Sequence, residues 1–452
     1  MHVHELNVSS AQTGLDVVSH KQGRITSLIQ QVIKDSRSDF AHKSAWTYAT
    51  QVAVVLIGVV TSAIVARILG PAGRGQYAVA AAVGALGVQF GNLGLHASNT
   101  YFVAKDRGLL PSLLANTLLV SFAGGGAAAA LVGAFFAVVP RLAPVEASLL
   151  VLALAWVPFG LAYLLTQNLL MGIQQVRAYN MVELTNKIIA LGVIASLIGL
   201  NKVTPANALG AVLLALSLSL VLAVRSLWKQ LPESPSPSLR VFRKNLSVGT
   251  RAYLVAVLGF LVLRVDLLMV KYLLGAEQAG YYSIAGTMAD YILLLPAAVG
   301  AILLPRLSAT NEVAQNRRRA ISAALGTAAA LLPIILVAMP CSRIAIQLLF
   351  GRRFLPAADA FVLLLPGVFF LGIETVLVQY LNSLGFPRIV VGAWFFTFLL
   401  NIGANLWTIP RYGIAGASVV SSVSYTLMFL FVLTIFQRRQ GVPAEAAEAV
   451  AS

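Results

Sequence analysis

The sequence predicts an all-α polytopic membrane protein of about twelve transmembrane helices, arranged as two parallel six-helix repeats around a central cavity. Composition, the length of the apolar runs and an internal echo predict it. With 58% hydrophobic and 11% charged residues in 452, and a mean hydropathy of +0.84, the chain has too little polar surface to solvate a globule. Lipid is then the solvent, which excludes a soluble enzyme. Runs of twenty or more apolar residues far exceed the roughly 9 to 11 alternating residues of a barrel strand, so every backbone polar group must be satisfied inside helices.

Taken in order, the spans fall near residues 47–69, 77–101, 112–139, 147–171, 181–200 and 206–228, then 249–274, 281–305, 322–349, 357–383, 390–410 and 413–436. The connections at 70–76 and 410–413 are so short that they predict tight hairpins. Residues 44–228 and 248–436 form the two bundles, and 229–247, KQLPESPSPSLRVFRKNLS, is a Pro/Ser-rich basic linker. Residues 1–43 lack the apolar core of a cleavable signal; Ile25, Leu28, Ile29, Val32 and Ile33 recur at helical spacing, which fits either an interfacial amphipathic helix or a partly disordered tail. Residues 437–452 read as a solvated tail.

Basic residues at helix ends stay on the cytoplasmic side. With the N-terminus inside, 21 of the 32 Lys and Arg face the cytoplasm and 9 the outside, while Lys187 and Arg264 lie within spans. Both termini are expected to be cytoplasmic, and much of the net charge of +16 reflects topology and anionic phospholipid rather than nucleic acid. The lone Cys341 excludes an intramolecular disulfide or a cysteine metal cluster, and no cofactor or metal is expected.

The echo is LGPAGRGQYAVA at 69–80 against LGAEQAGYYSIA at 274–285, in which Leu69, Gly70, Gly75, Tyr77 and Ala80 return 205 positions later as Leu274, Gly275, Gly280, Tyr282 and Ala285. A weaker one matches Gly210-Ala211 with Gly416-Ala417. An even number of spans per half makes the repeats parallel about the membrane normal, the arrangement of two bundles that alternate access to a shared cavity.

These segments, with GNLGLHASNTYFVAK at 91–105, RVDLLMVKYLLGAEQAGYYSIA at 264–285, LPRLS at 304–308 and YGIAGASVVSS at 412–422, resemble the Wzx-type polysaccharide flippases of the multidrug/oligosaccharidyl-lipid/polysaccharide superfamily. The resemblance covers residues 44–436. It implies movement of an undecaprenyl-diphosphate-linked oligosaccharide from the inner to the outer leaflet of a bacterial cytoplasmic membrane, for O-antigen or exopolysaccharide synthesis, alongside polysaccharide polymerase machinery.

Such a substrate calls for buried cations, because intramembrane charge is costly and Arg holds a diphosphate through several hydrogen bonds. Arg264 and Lys187 sit deep in their spans, with Arg67, Arg251 and Lys271 nearer the ends. Arg264 and Lys271, seven apart, share a helical face; Asp266 is turned roughly 160° from Arg264 and reads as a brace to a neighbouring helix. Glu183 and Lys187 are spaced to neutralise each other. Arg67, Arg74 and Arg251 also fit as interfacial anchors. Asp290 and Glu374 have no basic partner in their own helices and are candidate proton or sodium sites, with an interhelical partner such as Arg264 the competing reading. Trp394, Asn401 and Asn405 form a stripe suited to a sugar or, equally, to helix packing. There is no Walker loop, metal-ligand spacing or nucleophile motif, and no loop large enough for a polymerase or ligase domain, so no enzyme is expected. A lipid II flippase and a multidrug cation exporter of the same superfamily are the alternatives.

Overall fold

The computed structural model describes the backbone of residues 5–308, 312–384 and 388–438, and the side chains of 47, 49–250, 253–307, 312–384 and 389–438. The N-terminal amphipathic pattern and the tail beyond residue 438 lie outside the described side chains. Two compact units divide the chain, residues 1–56 and 57–452. In the first the backbone is helical from Glu5. All that follows concerns the second.

The elements are helices: α1 (Glu5–Gly91), α2 (Leu95–Lys105), α3 (Leu110–Leu119), α4 (Gly125–Val138), α5 (Ala147–Gly172), α6 (Val176–Gly199), α7 (Pro205–Trp228), α8 (Leu239–Leu274), α9 (Ala276–Ser308), α10 (Val313–Phe350), α11 (Ala357–Ser383) and α12 (Arg388–Arg438). Ten helical stretches among the described residues are long and apolar enough to cross a bilayer. Two of them, Ala49–Gly91 with 43 residues and Ile389–Arg438 with 50, are twice the length of about 20 that one crossing needs. Each contains a break, at Gly70 (φ 66°, ψ −179°) and Gly413 (φ 62°, ψ −147°), which resolves the ten stretches into twelve crossings.

The break at Gly413 reverses the chain. A Cβ on Gly416 would stand 2.7 Å from the Thr408 carbonyl oxygen, whereas eight residues of straight helix would separate the two by about 12 Å. At Gly70 the reversal needs no loop: the glycine takes the positive φ and Pro71 supplies the fixed φ of a first helical turn. Gly275, its partner in the internal repeat, adopts the same conformation between α8 and α9 (φ 93°, ψ 178°). The sequence echo is therefore an echo of backbone geometry.

The second predicted span stops earlier than its apolar run suggests. Leu93 and Gly94 both have positive φ, so α1 ends at Gly91 and the run continues as the separate helix α2. The third predicted span is α3 and α4 joined by a π-turn over Val120–Gly124, just before the glycine run at 124–126. Ser238 caps α8 by accepting from the Val241 amide, and Thr204 caps α7 with Pro205 at its first turn.

The two repeats touch reciprocally. A Cβ on Gly75 would overlap the Ala276 carbonyl oxygen, and a Cβ on Gly280 would overlap that of Pro71; these are the same two positions in each repeat. Only glycine lets the helices after Gly70 and Gly275 approach backbone to backbone. At the opposite end Gly94 and Gly249 meet in a second reciprocal contact, and Asn245 donates to the Asn99 carbonyl oxygen at 2.6 Å.

Candidate functional site

Between these two contacts lies a cavity of about 280 Å³. Its walls come from residues 74–85 of α1, 260–267 of α8, 282–293 of α9, Leu364 and Val368 of α11, and Tyr425 of α12. The α1 wall is a smooth row of alanines; the charges stand on α8, on α9 and at one end of α1.

Arg264 on α8 donates through Nη2 to Asp290 Oδ2 on α9 at 2.8 Å, and the two side chains remain 35% and 43% exposed to the cavity. Asp266, two residues on, is buried on the other side of α8. It accepts from Tyr282 Oη (2.5 Å), Ser421 Oγ (2.8 Å) and the Leu267 amide (2.7 Å), and so ties α8 to α9 and α12 as the helical geometry predicts. Those three donors stabilise the buried carboxylate without a cation in direct contact.

Arg74 is 6% exposed and is the cation that sequence reasoning misplaced. Expected to anchor at the interface, it folds inward from the first turns after Gly70, lies 5.3 Å over the Tyr77 ring and donates to Thr287 Oγ1 at 3.3 Å. Its Nε has no hydrogen-bond partner, and no carboxylate pairs with it among the described residues. One signal pointed there: Arg74 sits inside the repeated motif, three residues before Tyr77, and both Tyr77 and its repeat counterpart Tyr282 line the cavity.

The other expected site residues fall elsewhere. Arg67 is exposed and donates to the carbonyls of Leu348 and Leu349, a cation at the C-terminal end of α10. Lys187 and Lys271 are half-buried away from the cavity. Glu183 is held by Tyr163 Oη at 2.8 Å, and the described ion pairs do not include one to Lys187, because the neighbouring helix α5 offers a closer donor than the next turn of α6. Trp394 is core, stacked 3.6 Å over Gly259. Asn401 and Asn405 are fully buried and bond to Ser424 and to each other, which is helix packing inside the α12 hairpin. Glu374 is buried in α11, off the cavity, with its Oε1 unpartnered among the described residues. Arg251 lies outside the described side chains.

Twelve crossings in two repeats, closed on one another through paired glycines around a charged cavity, define the fold of the MOP superfamily transporters. Solved structures agree. The chain superposes on the lipid II flippase MurJ in an inward closed conformation with a TM-score of 0.69, at 14% identity, over 87% of each chain. The eukaryotic MATE transporter AtDTX14 gives 0.67 at 13% identity over 89% of this chain and 95% of that one. A MOP superfamily transporter from Pyrococcus furiosus, described as having a binding pocket of reverse polarity, gives 0.64 at 14% over 89% and 94%.

The model of the polysaccharide biosynthesis protein family matches residues 40–311, and the chain belongs to that family. It is 22% identical over 174 residues to a Shigella flexneri protein named "Putative O-antigen transporter", covering 38% of this chain and 42% of the relative. With an uncharacterized membrane protein of Methanocaldococcus jannaschii it shares 26% identity over 183 residues, 39% of this chain and 34% of the relative. The matches span between a third and about two-fifths of those relatives' length.

Proposed function

We propose that the chain is a flippase that carries an undecaprenyl-diphosphate-linked oligosaccharide from the inner to the outer leaflet of a bacterial cytoplasmic membrane, with both termini cytoplasmic. The observation that carries this reading is Arg74, a buried guanidinium without a carboxylate partner among the described residues, lining the same cavity as Arg264. A buried cation without countercharge is costly unless an anion visits it, and a diphosphate supplies one. A cation exporter would call for the opposite, carboxylates without partners in the cavity; here Asp290 is paired and Asp266 is sealed by three donors.

The diphosphate occupies the Arg74–Arg264 region, the lipid tail stays in the bilayer and the glycan fills the water-filled part of the passage. Anionic phospholipid meets the basic residues at the cytoplasmic ends, and polymerase machinery receives the product. Glu374 stands as a second candidate ion site, apart from the cavity.

Flipping of defined lipid-linked sugars in proteoliposomes tests the reading, with lipid II in a parallel arm because its headgroup carries the same diphosphate. Arg264→Ala is expected to lower the initial rate at least tenfold, with Arg264→Lys retaining part of it since the charge survives and the fork does not. Wild-type rate in Arg264→Ala, or transport of lipid II alone, would overturn it. Cysteines placed at 235 and 315 should resist impermeant thiol reagents in intact cells, and ready labelling of both would reverse the topology.

A further inference from the structure

Arg74 and Arg264 differ in one respect that the proposed substrate does not explain. Arg74 has no anion of its own, while Arg264 is already occupied by Asp290 at 2.8 Å. The occupied pair faces the cavity, with both side chains more than a third exposed, so the Asp290 carboxylate can be exchanged for another anion. Asp266, sealed among Tyr282, Ser421 and the Leu267 amide, cannot.

The two guanidiniums also converge on one face of α9. Arg74 bonds Thr287 and Arg264 bonds Asp290, positions three residues apart and separated by a rise of about 4.5 Å. Adjacent phosphoryl groups of a diphosphate fit that spacing, one on each arginine. In the empty cavity Arg74 and Arg264 are balanced by Asp266 and Asp290. When a diphosphate takes both arginines, its charge replaces that of Asp290 there, and Asp290 is left with no cation beside it in a poorly solvated space.

Resting on the flippase reading, we propose that Asp290 is a tethered counter-anion which a substrate phosphate displaces from Arg264, and that the displaced carboxylate takes a proton from the bulk. Binding is thereby an exchange: one Arg264–carboxylate ion pair breaks, one Arg264–phosphate ion pair forms, and one proton is bound at Asp290. The groups facing Asp290 are Arg264 and Asp266 on α8, Arg74 and Tyr77 on α1, Tyr282 and Tyr291 on α9 and Tyr425 on α12; α11 presents only Leu364 and Val368. No histidine lines the cavity, so Asp290 is the group that becomes exposed to the exchange.

Calorimetric titration of the purified full chain with undecaprenyl diphosphate, at neutral pH in sodium-free buffers of different ionisation enthalpy, counts the protons directly. Wild type is expected to take up about one proton per ligand bound and to bind more tightly as pH falls. Asp290→Asn should take up none and bind about tenfold more tightly at neutral pH, because the internal competitor is gone. Undecaprenyl monophosphate, which needs only Arg74, should bind without proton uptake. Failure of wild type to bind the diphosphate at all would sink the flippase reading itself. Binding without proton uptake in wild type, or unchanged uptake in Asp290→Asn, would overturn the exchange alone. Should Asp290→Asn fail to fold, Asp290→Glu must keep the uptake and the double variant Arg264→Gln/Asp290→Asn must lose it; uptake retained in the double variant overturns the proposal.

Discussion

The two walls of the cavity that come from the internal repeat occupy the same positions and carry different chemistry. Ala78, Ala82 and Ala85 on α1 correspond, 205 residues on, to Ser283, Thr287 and Asp290 on α9, and all six line the cavity. Arg74 corresponds to Ala279, which is fully buried in the core. The backbone and the glycine seam have kept their symmetry while the side chains have diverged: one repeat presents a smooth surface with a cation at its end, the other the polar and acidic groups. A symmetric cavity would place matching charges opposite each other at Coulombic cost, and divergence relieves it.

The seam is where the largest effect is expected. Gly75→Val and Gly280→Val should each cost about 3 kcal/mol of stability, read as a lower unfolding midpoint in detergent, because either side chain must push a backbone carbonyl. Similar losses at both support the symmetry; tolerance at one site and not the other would break it. Copying the second repeat into the first is the next test. Ala85→Asp should slow flipping roughly tenfold by giving Arg74 an internal competitor, with little change in protein level. A wild-type rate there would mean that the alanine wall does not face the substrate.

Ser421→Ala removes one of three donors to the buried Asp266 and should cost about 1–3 kcal/mol without changing affinity for a diphosphate lipid. An affinity loss larger than the stability loss would move Asp266 from brace to binding group. Smallest is Arg67→Ala, expected to cost under about 1 kcal/mol, since an exposed cation at a helix C-terminus is largely screened. A large fall in flipping rate in that variant would return Arg67 to the substrate path.

Much of this architecture is written along the chain. Apolar runs long enough to span lipid fix the helices, and Gly70 with Pro71, like Gly413, marks a reversal that few other residues could make. The repeat was legible because Gly75 and Gly280 serve a contact that no side chain survives. Asp266 could be assigned to a brace because 3.6 residues per turn put it away from Arg264. Membrane depth and helical phase are local properties, and sequence spacing reports them.

What spacing does not report is which neighbouring helix a face meets. Lys187 and Glu183 are placed to pair, yet Tyr163 of α5 reaches the glutamate first. The stripe of Trp394, Asn401 and Asn405 has the composition of a sugar platform, but it faces Gly259 and Ser424 and is packed shut. Arg74 reads as an interfacial anchor by position, and only the approach of α9 across the glycine seam turns it into a buried cation beside Thr287. The sequence by itself determined that charge would be buried in this membrane protein; the tertiary structure decided which charges share a cavity, because that depends on contacts between helices some two hundred residues apart.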